Sequence, residues 1–125
     1  MDVYLVHGTA KTPSILLDPK AGTLEMKGRC IPENTIEFFR KLLDAVEAFG
    51  KTNAKKFEIT LQLEYFNTSS SKCLLDLFKN TEVLKNNGVE VLINWIYDKE
   101  DEEWLEVGKD YESMTEVPFK YIEVE

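Results

Sequence analysis

Apolar and polar residues alternate between positions 57 and 65, and this alternation predicts a strand with one buried face. The apolar positions of the strand are Phe57, Ile59, Leu61, Leu63 and Tyr65. Polar residues fill the positions between them, so the two faces of this strand are expected to differ in burial.

A helix pattern follows this strand after a short run of hydroxyl residues. The apolar residues now recur at helical spacing, at Leu74, Leu77, Phe78 and Leu84. Residues 67–71, with the sequence NTSSS, therefore occupy a strand-to-helix turn at a helix N-terminus. Free backbone N–H groups and the helix dipole favour an anion there, either as a ligand or as a modified hydroxyl. One of these residues is also expected to cap the helix, but a cap needs only one side chain.

The same patterns predict the remaining elements of the chain. Short strands are predicted at Val3–His7, Ser14–Leu17 and Thr23–Lys27, a strand at Val89–Tyr97, a short acidic helix at Glu102–Val107 and a last strand at Phe119–Val124. A further helix is expected between Asn34, which forms a capping-box pattern with Glu37, and Gly50. Its predicted inner face consists of Ile36, Phe39, Leu43 and Val46.

The order of these elements predicts a single α/β domain with a mixed sheet. Strand, helix, strand, helix, strand implies parallel pairing of the three central strands, with helices packed against the sheet. The loops 28–34, 67–71 and 98–103 should then emerge at the carboxyl-end edge, where open α/β sheets place their function. Arg29, the hydroxyl run and the acidic run that begins at Asp98 are therefore expected to share one surface.

Length and composition agree with one domain spanning residues 1–125. Of the 125 residues, 43% are hydrophobic, which is enough for a core without disulfides or metals. Cys30 and Cys73 form no CxxC pattern and are expected to be reduced thiols. No segment is long and apolar enough for a membrane span, and the start of the chain lacks the regions of a signal peptide, so a cytoplasmic location is expected.

The net charge of −8 comes entirely from the C-terminal part of the chain. Residues 98–125 contain eleven acidic and three basic side chains, whereas residues 1–97 contain twelve of each. This distribution argues against a nucleic-acid partner and is compatible with a protein partner that has a basic surface. A solvated acidic helix would explain the same pattern.

An enzyme or small-ligand domain is the main alternative function. His7, the only histidine, would be the base, and Ser69, Ser70 or Cys73 the nucleophile. His7 is equally explained as an exposed loop residue, and no GxSxG, Walker A or HExxH string is present. Trp95 and Trp104 could line a pocket, although core packing explains them more simply.

Four strings follow one another over almost the whole chain, namely TPSILLDPKAGTLEMKGRCIPENT, LEYFNTSSSKCLLDLF, the acidic run and PFKYIE. Together and in this order they resemble the SiaC-type regulatory phosphoproteins of bacteria. The resemblance implies a STAS-like domain that acts by partner switching in cyclic di-GMP signalling and biofilm regulation. A kinase would phosphorylate Thr68, a PP2C-like phosphatase would remove the phosphate, and the unmodified protein would bind and stimulate a diguanylate cyclase.

The lone histidine and the unpaired cysteines indicate a protein with no catalytic activity and no required metal or cofactor, and the free protein is expected to be a monomer. The resemblance also implies a set of site residues. Thr68 is the implied phosphorylation site, and the implied partner-binding residues are Arg29, Glu64, Tyr65, Asn67, Thr68, Ser69, Ser70, Ser71 and Lys72. The physical pattern alone does not separate Thr68 from its serine neighbours. An adaptor that binds its partner without phosphorylation would present the same surface and differ only at Thr68.

Overall fold

The computed structural model describes all residues from Met1 to Glu125. Its elements in chain order are β1 (Tyr4–Val6), β2 (Ser14–Asp18), β3 (Thr23–Cys30), α1 (Thr35–Gly50), β4 (Lys56–Phe66), α2 (Thr68–Asn86), β5 (Glu90–Asp98), α3 (Glu102–Met114) and β6 (Phe119–Val124).

The six strands form one sheet in which their spatial order equals their order along the chain. β1, β2 and β3 pair antiparallel, and β3, β4, β5 and β6 pair parallel. The predicted α/β class with parallel central strands is therefore confirmed, and β6 extends the parallel part by one strand. The carboxyl ends of β3, β4 and β5 lie at the same edge, as expected.

The core lies on one face of the sheet, which the three helices cover. Across the parallel strands, Leu24, Ile59 and Ile93 lie side by side in the register, and all three are fully buried. The opposite face carries polar positions such as Thr60 and Asn94, which are joined by a side-chain hydrogen bond of 3.2 Å. This face has no helix against it.

The inner face of α1 differs from the predicted one. Ile36 is 76% exposed and Leu43 is only half-buried, so the prediction was wrong for Ile36 and incomplete for Leu43. The buried residues of α1 are Thr35, Phe39, Leu42, Val46 and Phe49. This set also has helical spacing, and it places the Thr35 hydroxyl 2.9 Å from that of Ser69 on α2.

Two element boundaries also extend beyond their predicted ends. β3 runs to Cys30, so the first residues of the expected loop 28–34 belong to the strand. α3 continues from Val107 to Met114 through Gly108, a residue that packs against the indole of Trp95. Finally, none of the helices is long and apolar enough to cross a membrane.

Candidate functional site

The hydroxyl run forms the first turn of α2. Asn67 is the N-cap, and its side-chain Oδ1 accepts a hydrogen bond of 2.9 Å from the backbone N–H of Ser70. The predicted position of the run at a helix N-terminus is confirmed. The connection between β4 and α2 is shorter than predicted, because Thr68 to Ser71 are already helical and only Asn67 lies between the two elements.

Three of the four hydroxyl side chains in this turn make hydrogen bonds within the protein. Ser69 Oγ lies 2.9 Å from Thr35 Oγ1 and 3.3 Å from the cap oxygen of Asn67. Ser70 is fully buried, and its Oγ accepts a hydrogen bond of 3.7 Å from the Cys30 thiol. Ser71 Oγ donates a hydrogen bond of 2.6 Å to the backbone carbonyl of Thr68.

Thr68 differs from the three serines, because its side chain is exposed and its hydroxyl makes no hydrogen bond within the protein. The backbone N–H groups of Thr68 and Ser69 also have no acceptor in the protein. Lys72, one turn later on the same face, is exposed and forms no ion pair. The turn contains no acidic residue, so a negative charge at Thr68 would meet free donors, the helix dipole and a lysine.

Buried groups of β3 and α3 contact this turn from the core side. The hydroxyl of Tyr111 on α3 donates a hydrogen bond of 2.9 Å to the backbone carbonyl of Ser71. Its ring lies 5.0 Å from that of Phe78, in an edge-to-face arrangement. Burial raises the pKa of the Tyr111 hydroxyl, and burial also raises the pKa of the Cys30 thiol to about 11. Both groups therefore remain neutral at physiological pH.

A β-bulge near the end of β4 reverses the face on which Tyr65 lies. Leu63 is paired with Gly28 and Tyr65 with Arg29, so Glu64 is an extra residue with no partner on β3. The prediction that Tyr65 continues the buried face of the strand was therefore wrong. Tyr65 is 51% exposed, and Phe66 instead packs against the core.

The residues predicted to bind a partner consequently fall into two groups. Asn67, the N-cap of α2, and Thr68 to Lys72 at the start of this helix lie together on the helix-covered side of the sheet. Arg29 and Tyr65 are register partners, and Arg29 precedes Cys30, whose side chain contacts α2. Because neighbouring strand residues point to opposite faces, Arg29 and Tyr65 lie on the uncovered face. Glu64 is exposed at the bulge between the two groups.

The acidic run lies at the same edge of the sheet. Asp101 caps α3 by accepting a hydrogen bond of 3.0 Å from the backbone N–H of Trp104, and Glu102 and Glu103 follow in the first turn. The ring of Trp104 lies 5.1 Å from that of Phe66, at the end of β4. The expectation of one shared surface therefore holds for the acidic run and the hydroxyl run, which lie at one edge of the sheet. It was wrong for Arg29, which lies at this edge but on the uncovered face.

The residues considered for an enzymatic site do not come together as catalytic partners. His7 follows β1 on an exposed segment and makes no hydrogen bond to Ser69, Ser70 or Cys73. Trp95 is 1% exposed and stacks on Trp104 at 5.4 Å, so both rings contribute to packing, as the simpler interpretation predicted.

Comparison with known families gives one match over nearly the whole chain. The model of the family described as SiaC family regulatory phosphoprotein matches residues 6–124. An uncharacterized protein of Pseudomonas aeruginosa strain UCBPP-PA14 is 35% identical over 114 residues, which cover 91% of this chain and 90% of that protein.

Solved structures of similar proteins have the same fold. Apo-SiaC from Pseudomonas aeruginosa superposes with a TM-score of 0.91 at 33% identity, covering 98% of this chain and 99% of that chain. A structure of the diguanylate cyclase SiaD in complex with its activator SiaC, from the same organism, contains a chain that superposes with a TM-score of 0.92 at 33% identity. That match covers 97% of this chain and 99% of the other.

Proposed function

Because this chain belongs to the SiaC family of regulatory phosphoproteins, we propose that it is a partner-switching regulator whose bare form binds and stimulates a diguanylate cyclase. In this proposal a partner kinase phosphorylates Thr68 and thereby ends the interaction, and a PP2C-like phosphatase restores it. The protein acts in the cytoplasm and needs neither a cofactor nor catalytic activity of its own.

The state of the Thr68 hydroxyl is the observation that carries this proposal. A kinase needs an accessible hydroxyl, and Thr68 is exposed with a side chain that no other group in the protein engages. Ser70 is fully buried, and modification of Ser69 or Ser71 would break a hydrogen bond to Thr35 or to the Thr68 carbonyl. The geometry thus favours Thr68 over its neighbours.

A phosphate at Thr68 would be tolerated by the fold and harmful to an interface. It adds about −1.5 to −2 charges at neutral pH, and the helix N-terminus stabilises a negative charge by about 0.3–1 kcal/mol. A partner that covers the bare hydroxyl would have to desolvate this charge. A loss of about 3 kcal/mol in that contact corresponds to more than a hundredfold in affinity.

In this proposal the interface includes both groups of predicted partner-binding residues. Asn67, Thr68, Ser69, Ser71 and Lys72 provide the part that phosphorylation alters, whereas the predicted partner-binding residue Ser70 is fully buried and supports the turn from the core side. Glu64 at the bulge continues this part towards Arg29 and Tyr65. The exposed Tyr65 ring beside an unpaired Arg29 has the composition that is common in interface anchors.

Calorimetric binding to a purified diguanylate cyclase from the protein's own organism tests the proposal. Bare protein and Thr68→Ala should bind with similar affinity, whereas enzymatically phosphorylated protein should bind at least about a hundredfold more weakly. Thr68→Asp should show part of this loss, because it adds one charge instead of nearly two.

Asn53→Asp is the matched control for added charge. Asn53 is exposed in the loop before β4, at the opposite edge of the sheet from Thr68, so this variant should bind as the bare protein does. Equal affinity of the bare and phosphorylated forms would rule out the switch and leave a constitutive adaptor.

A further inference from the structure

A groove runs along the surface between α2 and α3, directly beside the Thr68 turn. It has a volume of 340 Å³, and its apolar lining includes Phe66, Leu75, Val107 and Met114. Tyr111, which bonds the Ser71 carbonyl, is part of the same lining. Met114 is 45% exposed, so a large apolar side chain at this groove faces solvent.

Thr68 lies in line with this groove. Ser71, Lys72 and Leu75 line the groove from the α2 side. Thr68 precedes them by three, four and seven residues, the spacing that places helical residues on one face. At the far end, Lys79 Nζ reaches across to the backbone carbonyl of Met114, at 2.7 Å. A bridge between the helices therefore closes one end of the groove. The other end is lined by Phe66 and Ser71, the residues on either side of Asn67 to Ser70, and Thr68 lies in that turn.

The two rims of the groove carry opposite charge. On the α2 rim, Lys72 follows a first turn that holds no acidic residue, and the positive end of the helix dipole lies there. On the α3 rim, Asp110 lines the groove, and Glu103 and Glu106 precede it at helical spacing. Neither Glu103 nor Asp110 forms an ion pair, so both carboxylates are free for a partner.

We propose that this groove is the docking site for one segment of the regulated cyclase, which inserts a large apolar side chain between the two helices. Charge complementarity predicts the partner residues on either side of that apolar residue. An acidic residue of the partner faces the α2 rim, and a basic residue of the partner faces the α3 rim. This inference rests on the proposed function and deepens it. Phosphorylation of Thr68 then reverses the charge of the α2 rim at the end of the groove that lies at the start of α2. The phosphate therefore repels the acidic residue of the partner that faces this rim.

Matched substitutions in the unphosphorylated protein test the groove, with affinity for the same purified cyclase as the readout. Met114→Glu should weaken binding by about thirtyfold or more, because it puts a carboxylate where an apolar anchor must be buried. Val83→Glu is its control, since Val83 is a 57% exposed apolar residue on α2 outside this groove. The control should bind within about threefold of wild type.

Charge reversals test the two rims separately. Asp110→Lys and Lys72→Glu should each weaken binding by about tenfold, and the loss should be smaller at high salt. Asp44→Lys and Lys41→Glu make the same charge changes on the exposed surface of α1 and should have little effect. Thermal melting identifies any variant that fails to fold.

Hydrogen exchange of the wild-type complex gives a result that does not depend on variants. Cyclase binding should slow exchange of amides in residues 68–79 and 103–114. Protection confined to the uncovered face of the sheet, or groove variants that bind like wild type, would overturn the groove as docking site. If phosphorylation still weakened binding in that case, the proposed function would stand. If wild-type protein did not bind the cyclase at all, both proposals would be wrong.

Discussion

Replacing Tyr111 by phenylalanine removes one hydroxyl that joins α3 to the first turn of α2. This hydroxyl donates a hydrogen bond of 2.9 Å to the carbonyl of Ser71, and the residue is 5% exposed. The phenylalanine ring would keep the contacts with Phe78, Phe66 and Trp95 that the tyrosine ring makes. The substitution therefore tests the hydrogen bond with little change in packing.

The expected loss at neutral pH is about 1 kcal/mol, the usual net contribution of a hydrogen bond between neutral groups. The Ser71 carbonyl has a second lone pair available for its helical partner, so it is not left without any donor. For a domain of this size the loss corresponds to a decrease of about 4 °C in melting temperature.

The difference between the two proteins should change sign at alkaline pH. Burial raises the pKa of Tyr111 above its ordinary value of 10.0, so the folded state keeps the proton while the unfolded chain loses it. The stability that this group contributes is complete below about pH 10 and is lost as pH rises through the folded pKa. A loss of about 1 kcal/mol is reached between about pH 10 and about pH 11, where wild type and Tyr111→Phe should become equally stable.

Urea unfolding of both proteins between about pH 7 and pH 11 measures this difference directly, because other tyrosines titrate equally in the two chains. A stability difference that stays constant across this range would refute the buried, hydrogen-bonded hydroxyl. A loss above about 3 kcal/mol at neutral pH would instead show that the ring had moved.

Three further changes have expected outcomes. In native protein at about pH 8, Cys30 should react with a thiol reagent far more slowly than the partly exposed Cys73, because it is fully buried with a pKa raised to about 11; equal rates would contradict this. Gly108→Ala should destabilise the fold by about 1–3 kcal/mol in urea unfolding despite the better helix propensity of Ala, since the added Cβ would lie 2.7 Å from the Trp95 ring; an unchanged or raised midpoint would show that the ring can move. Asn67→Ala should cost about 1 kcal/mol through loss of the α2 cap, and Asn67→Asp, which can still cap, should not.

The periodic segments of this chain could be predicted from sequence, because their periods are local properties. The alternation that ends at Leu63 and the helical spacing after Leu74 each identify one element without reference to the rest of the chain. The order of elements then implied the parallel sheet and the shared edge, since parallel strands need crossover connections.

The bulge in β4 could not be inferred from alternation alone. One extra residue, Glu64, moves everything after it to the opposite face, and the adjacent aromatic residues Tyr65 and Phe66 were the local signal that the period had changed. Ile36 was misplaced for a different reason. Two sets of residues in α1 have helical spacing, and the buried set includes the polar Thr35, whose hydroxyl meets that of Ser69 on α2.

The candidate site could be located from sequence, but its four hydroxyls could not be ranked. Ser69 and Ser70 are distinguished by Thr35 and Cys30, which lie 34 and 40 residues away in the chain from the serines that they contact. Only the bond from Ser71 to the Thr68 carbonyl is local. The extent of α3 was missed because Gly108 usually weakens a helix, whereas here it allows the backbone to approach a tryptophan.

The strands lie in the sheet in the same order as in the chain, and this has a consequence for synthesis on the ribosome. Each strand pairs with the strand made just before it, so every new strand meets an edge that already exists. No strand pairs with a strand that is synthesised much later in the chain. This limits the time during which an unpaired strand edge is exposed to other nascent chains. The sheet of this protein can therefore assemble in one direction, from the N-terminal hairpin to β6, at the pace of translation.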